Sequence, residues 1–143
     1  MKARYAAAMS DQRTPDGSSA APLDAALGLT RAPDDGDAAV LRLDPRDIAV
    51  GATDPVTYLH GGALATCIDT AAWEAIVLVS DDTWVVADMR IDFVKLARNE
   101  AHRVRAMARK IGRTQAVADV EISAWEDPTR LVALGRVLLA KVG

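Results

Sequence analysis

The stretch His60-Gly61-Gly62-Ala63-Leu64-Ala65-Thr66-Cys67-Ile68-Asp69-Thr70-Ala71-Ala72 sets two adjacent glycines before a long apolar run that carries one carboxylate in its middle. Leu64, Ala65, Ile68, Ala71, Ala72, Ala75, Ile76 and Val79 recur at helical spacing and form one apolar face, which needs a large surface to pack on. Thr66, Asp69, Thr70 and Trp73 fall on a second face. Glycines let a backbone approach a bound atom closely, and the helix start behind them offers unpaired N–H groups and the positive end of its dipole. A developing oxyanion is stabilised there. Asp69 has poor helix propensity and apolar neighbours, so it is either the reacting carboxylate or a solvated surface group.

The rest of the chain supplies the surface. Leu23 to Leu29 reads as a short helix, and Ala38 to Asp44 as a strand after the turn signal Asp34-Asp35-Gly36-Asp37. Pro45 to Tyr58 shows no period and reads as a loop. After a helix from His60 to about Val79, four strands are expected at Trp84–Leu96, His102–Ile111, Thr114–Trp125 and Leu131–Lys141, forming an antiparallel meander. Ala87, Met89, Ile91 and Phe93 alternate with Asp88, Arg90 and Asp92, and Ala116, Ala118, Val120 and Ile122 with Asp119, Glu121 and Ser123. A curved sheet beside one long helix is an α+β layout, and the pattern alone admits more than one such fold. Residues 1–22 are polar and broken by Gly and Pro, so they are expected to form a flexible tail with a short helix at Lys2 to Met9, and residues 23–143 a single domain.

Several function classes are disfavoured. With 17 basic and 20 acidic residues the net charge is −3, and no basic cluster is interleaved with aromatics, so nucleic acid is not an expected partner. No apolar run approaches the ~20 residues of a membrane span, and Met1 to Ser10 is too short in apolar residues for a signal peptide, so a cytoplasmic protein without membrane association is expected. One cysteine and two histidines give no disulfide and no expected metal site. Cys67 lies seven residues from His60, about 10 Å along a helix, too far for an intrachain nucleophile–base pair. Glu74 is expected to be solvated or paired with a surface cation, and Trp73, Trp84 and Trp125 to be packed or to line a ligand pocket.

The His-Gly-Gly sequence, the Asp nine residues after His60, and Lys110-Ile111-Gly112-Arg113-Thr114 resemble the hot-dog-fold acyl-CoA thioesterases of the phenylacetyl-CoA thioesterase-like (PaaI-type) group. The resemblance covers about Leu23 to Lys141 and implies an antiparallel sheet wrapped around one central helix, with hydrolysis of an acyl-CoA thioester. It implies no cofactor, CoA being part of the substrate, and a homotetramer. It places Asp69 as general base or nucleophile, the Gly61 N–H as oxyanion donor, and His60 and Asp54 beside them. Gly62, Thr70, Asp88, Phe93, Lys110, Gly112, Arg113 and Thr114 are the implied substrate and CoA contacts; Arg98, on composition alone, is a further candidate at the rim. Three positions depart from the group. Asp54 stands where Asn is common, Thr57 where Gly is frequent, and Val86 where a hydroxyl often supports the acid.

Spacing carries one further inference. Gly61 and Asp69 are eight residues apart, about 12 Å along one helix, whereas a carboxylate and an oxyanion donor must both lie within about 3 Å of the reacting groups. One helix cannot serve one carbonyl with both, but two antiparallel copies can, so a homodimer with two equivalent sites is expected. Two other functions stay open: a non-catalytic acyl-CoA-binding module, suggested by Val86, and a hot-dog enoyl-CoA hydratase using Asp54 and His60, whose six-residue separation fits that pattern poorly.

Overall fold

A computed structural model of the chain describes residues 21–143. The expected tail and its helix at Lys2 to Met9 lie outside the described residues, except that Pro22 already begins a helix. That helix, α1 (Pro22–Leu27), starts on the proline, whose fixed φ suits a first helical turn, and ends at Gly28 with φ +90°. A Cβ at Gly28 would also lie 1.9 Å from the Asp44 carbonyl oxygen, so only glycine fits. Then come β1 (Leu29–Asp35), β2 (Ala38–Leu43), a single 3₁₀ turn (Asp47–Ala49), β3 (Val50–Ala52) and β4 (Tyr58–Leu59). The long helix α2 (Gly61–Val77) follows, and β5 (Trp84–Phe93), β6 (His102–Ile111), β7 (Gln115–Ala124) and β8 (Leu131–Lys141) complete the fold.

Six strands form one antiparallel sheet in the order β1-β2-β6-β7-β8-β5, and α2 packs on one face of it, against β2, β5, β6, β7 and β8. This is the expected α+β hot-dog layout. The four late strands are not one meander, however. β6, β7 and β8 are consecutive neighbours, but β5 pairs with β8 at the far edge, and β2 takes the place beside β6. β1 was not expected, because Pro33 and three acidic residues in its surroundings break its alternation; it is an edge strand, where a missing N–H is tolerated. β3 and β4 pair within the expected loop as a small ladder.

Small residues seat the helix. Ile91, Gly135, Val120, Ala106 and Ala39 stand side by side across five strands, and a Cβ at Gly135 would come within 2.7 Å of Ile68 Cγ2. In β5 the register slips between Val86 and Asp88. Trp84 and Val86 therefore face the core before the bulge and Met89 and Ile91 after it, which leaves Ala87 exposed rather than in line with Met89.

Candidate active site

His60 is the N-cap of α2, and its Nδ1 accepts a hydrogen bond from the Gly62 N–H at 2.9 Å. The His60 carbonyl accepts from Ala63 (3.0 Å) and Leu64 (3.3 Å), so among the described residues the Gly61 N–H is left without an acceptor. Because Nδ1 accepts, the proton of the neutral ring sits on Nε2. Neither glycine has a positive φ; they are the first two helical residues rather than a turn. Their small size serves space instead. A Cβ on Gly62 would meet His60 Nδ1 at 3.0 Å, and one on Gly61 would touch the Phe93 ring at 3.4 Å. The segment is pinned by bonds from His60 N to Ala49 O and from Leu59 N to Ala97 O, both 2.8 Å. Phe93, Val94 and Leu96, in the same region of the chain, are 55, 47 and 58% exposed, an unusual concentration of apolar surface.

Asp69 stands two turns further along α2, half-buried. Burial pushes its carboxyl above the usual range, and the nearby Asp24 pushes it in the same direction. Asp24 is a buried residue of α1, and Thr70 Oγ1 lies 3.0 and 3.1 Å from its two carboxylate oxygens. The sequence reading missed Asp24. A carboxylate just after Pro22 looks like an ordinary acidic first turn, and nothing local signals its burial. Thr70, expected as a substrate contact, donates its hydroxyl proton to Asp24. Asp54 is exposed in the loop before β4, and among the described residues the carboxylate acting on Asp69 is Asp24. Val86 packs against the core and offers Asp69 no hydroxyl.

Two further acid and thiol groups on α2 belong to the fold. Cys67 is buried and its thiol is pushed up to about 12, chiefly by burial, so it stays protonated and unreactive. Glu74, expected to be solvated or paired with a surface cation, is paired but buried: it lies 3.5 Å from the guanidinium of Arg31 on β1. Its partner sits on the strand that the sequence did not reveal.

Trp73 Nε1 donates to the Trp84 carbonyl at 3.2 Å, whereas Gly61 meets Phe93, so α2 runs antiparallel to β5 with its start at the Phe93 end. The hairpin Lys110–Thr114 lies at the other end. Val104 shares a cross-strand row with Phe93, and Lys110 is six residues further along β6, roughly 20 Å at strand spacing. Lys110, Arg113 and Thr114 are exposed, with no ion pair among the described residues, and Gly112 N donates to Gln115 O at 2.8 Å to close the turn. Asp88 shares a row with Lys110 but is three strands away, about 14 Å. Arg98 is exposed and bridges Tyr58 beside the helix start. The chain thus brings Phe93, Gly61, Gly62, His60 and Arg98 to one end and the basic hairpin to the other, with Asp69 between.

The tryptophans are packing residues. Trp84 is fully buried and bonded to Ser80 Oγ at 3.0 Å, and Trp125 lies under the Arg42 guanidinium, 4.5 Å from the ring centre. A cleft of about 380 Å³ between Arg90, Asp92, Asp119, Glu121 and Arg136 contains none of the expected site residues. Among the described residues no group of three His, Cys, Asp or Glu side chains is placed to hold a metal, and no helix is long and apolar enough to cross a membrane.

The thioesterase superfamily model matches residues 57–131, a span that holds α2 and the basic hairpin, and the chain belongs to that superfamily. Its fold is shared with the PaaI protein of the E. coli phenylacetic acid degradation operon, at TM-score 0.75 and 23% identity over 99% of this chain and 94% of that one. S. sahachiroi AziG is similar at TM-score 0.72 and 29% identity, covering 85% of this chain and 96% of its own. A thioesterase family protein from Silicibacter pomeroyi aligns over 99% of this chain and 98% of that chain, at TM-score 0.76 and 21% identity. Among curated proteins no match was found.

Proposed function

We propose that this protein hydrolyses acyl-CoA thioesters at sites formed across a homodimer. The observation that carries the reading is the division of α2. Its first N–H, at Gly61, is open because His60 has taken the next one, and its half-buried carboxylate stands eight residues on in the same unbroken helix. An open helix-start N–H suits a thioester oxyanion, and a carboxylate raised above its usual range is a stronger base or nucleophile at neutral pH. Their axial separation of about 12 Å needs the Gly61 of one protomer to face the Asp69 of its partner.

In this reading the carbonyl oxygen accepts from Gly61 N–H, Asp69 either deprotonates the attacking water or attacks the carbonyl itself, and the C–S bond breaks to release CoA. His60 and Gly62 hold the donor in place, and Asp54 borders the site from the partner loop. Lys110, Arg113 and Thr114 take the CoA phosphates, because basic and hydroxyl side chains on an exposed turn give charge-assisted and hydroxyl hydrogen bonds, and Gly112 closes the turn that presents them. Phe93 contacts the acyl part, and two dimers form the homotetramer. The test is thiol release from short, medium, long and aromatic acyl-CoAs by wild type and Asp69→Ala. Turnover that falls at least about a hundredfold in the variant supports the reading. CoA binding without turnover, untouched by Asp69→Ala, would replace it with a binding module, the reading that the apolar Val86 favours.

A further inference from the structure

We propose that Asp24, a buried carboxylate of α1, is a positioning residue for Asp69: held by Thr70, it fixes the face of α2 that carries Asp69 and keeps a negative charge beside it. This rests on the reading of Asp69 as the reacting group. Asp24 is 46 residues from Thr70 in sequence, yet Thr70 Oγ1 reaches both of its carboxylate oxygens at 3.0 and 3.1 Å. Thr70 is the residue next to Asp69, so this bond ties α1 to the turn of helix that carries the reacting carboxylate. With a residual exposure of 4%, Asp24 is buried, so water screens its charge little from Asp69.

The other neighbours of Asp69 cannot play this part. Beneath α2 the sheet presents Ala39, Leu41, Val104, Ala106, Val120 and Val137, all apolar. His102, also buried, is four residues from Ala106 along β6, and its Nδ1 is bonded to the Glu100 carbonyl at 2.8 Å. On α2 itself Glu74 is paired with Arg31, and Cys67 stays protonated. Among the described residues Asp24 is the charge that acts on Asp69, second to burial, and it acts toward a more basic carboxylate. A base or nucleophile gains from that shift so long as it is ionised at the working pH.

The experiment compares Asp24→Asn, Asp24→Glu and Thr70→Val with wild type in two readouts. In the first, the acid limb of kcat against pH should move down by about half a unit or more in Asp24→Asn, with kcat lowered several-fold and KM within about twofold. Asp24→Glu, which keeps the charge, should restore the limb, and Thr70→Val, which keeps Asp24 but frees it, should lower kcat with the limb near its wild-type place. In the second, the carboxyl carbon of Asp69 is titrated by NMR without substrate, and the same downward displacement is expected in Asp24→Asn. Equal limbs and equal titrations in wild type and Asp24→Asn overturn the proposal, as does an equal displacement in Asp24→Glu, which would mark a packing role. If wild type hydrolyses no thioester, the thioesterase reading fails, while the NMR titration still decides the coupling of Asp24 to Asp69.

Discussion

The two halves of α2 are built to different ends. From Ala71 to Val77 the polar groups that could be exposed are tied down: Glu74 meets Arg31, and Trp73 donates to the Trp84 carbonyl. From Gly61 to Thr70 two groups are left in states the fold does not favour, an open N–H at Gly61 and a desolvated carboxylate at Asp69. One helix therefore holds itself with its C-terminal half and, in its N-terminal half, carries the two groups proposed to react. Strained or unsatisfied groups of this kind belong where chemistry is done.

The largest expected effect separates the two acids of the helix. Asp69→Ala should lower thioester hydrolysis at least about a hundredfold with the fold intact, whereas Glu74→Ala should leave turnover per folded molecule within about threefold. A large loss of kcat in Glu74→Ala at unchanged melting temperature would break the division. Next in size is the seat of the helix. Gly135→Val places a branched side chain where a Cβ alone already comes within 2.7 Å of Ile68 Cγ2. A loss of about 2–3 kcal/mol by urea unfolding is expected from the overpacking, together with reduced activity, since Ile68 adjoins Asp69. A neutral Gly135→Val would show that α2 is not held closely there.

Glu74→Ala is expected to cost about 2 kcal/mol in the same measurement, less than the loss of a fully buried pair, because Arg31 keeps its bonds to the Val40 carbonyl and to Asp34. That residue also shows what sequence could and could not reveal. The helical period of α2, the strands β6, β7 and β8, and the hairpin at Gly112 are local patterns, and they were legible to within a few residues. Glu74, however, looks like an ordinary polar position until Arg31 is placed beside it, and Arg31 lies on an edge strand interrupted by Pro33. Asp24 was hidden for the same reason, its partner Thr70 being 46 residues away. The pairing of β5 with β8 rather than β6 likewise depends on a crossover that no local pattern encodes. Of the proposed site, Gly61, His60 and Asp69 stand out in the sequence because glycines before an apolar helix and a carboxylate within it are conspicuous. The carboxylate that acts on Asp69 does not.

The smallest effect should have the opposite sign. Asp69 binds its proton more tightly in the folded chain than the ordinary value of 3.8 would give, chiefly because burial disfavours the charged form. As the pH rises from 3.8, the unfolded chain gives up this proton first, so the unfolded state gains relative to the native one until the folded carboxyl also ionises. The native state is thus least favoured by Asp69 above that window, at neutral pH, and most favoured below it. Asp69→Asn removes the titration and keeps the shape, so it should melt about 1–3 °C higher than wild type at pH 7, with the advantage shrinking as the pH is lowered toward 3.8. Glu74→Ala should melt lower than wild type at pH 7. A lower melting temperature for Asp69→Asn at pH 7 would mean that the N-terminal half of α2 is stabilised by its carboxylate, and the contrast between the two halves would not hold.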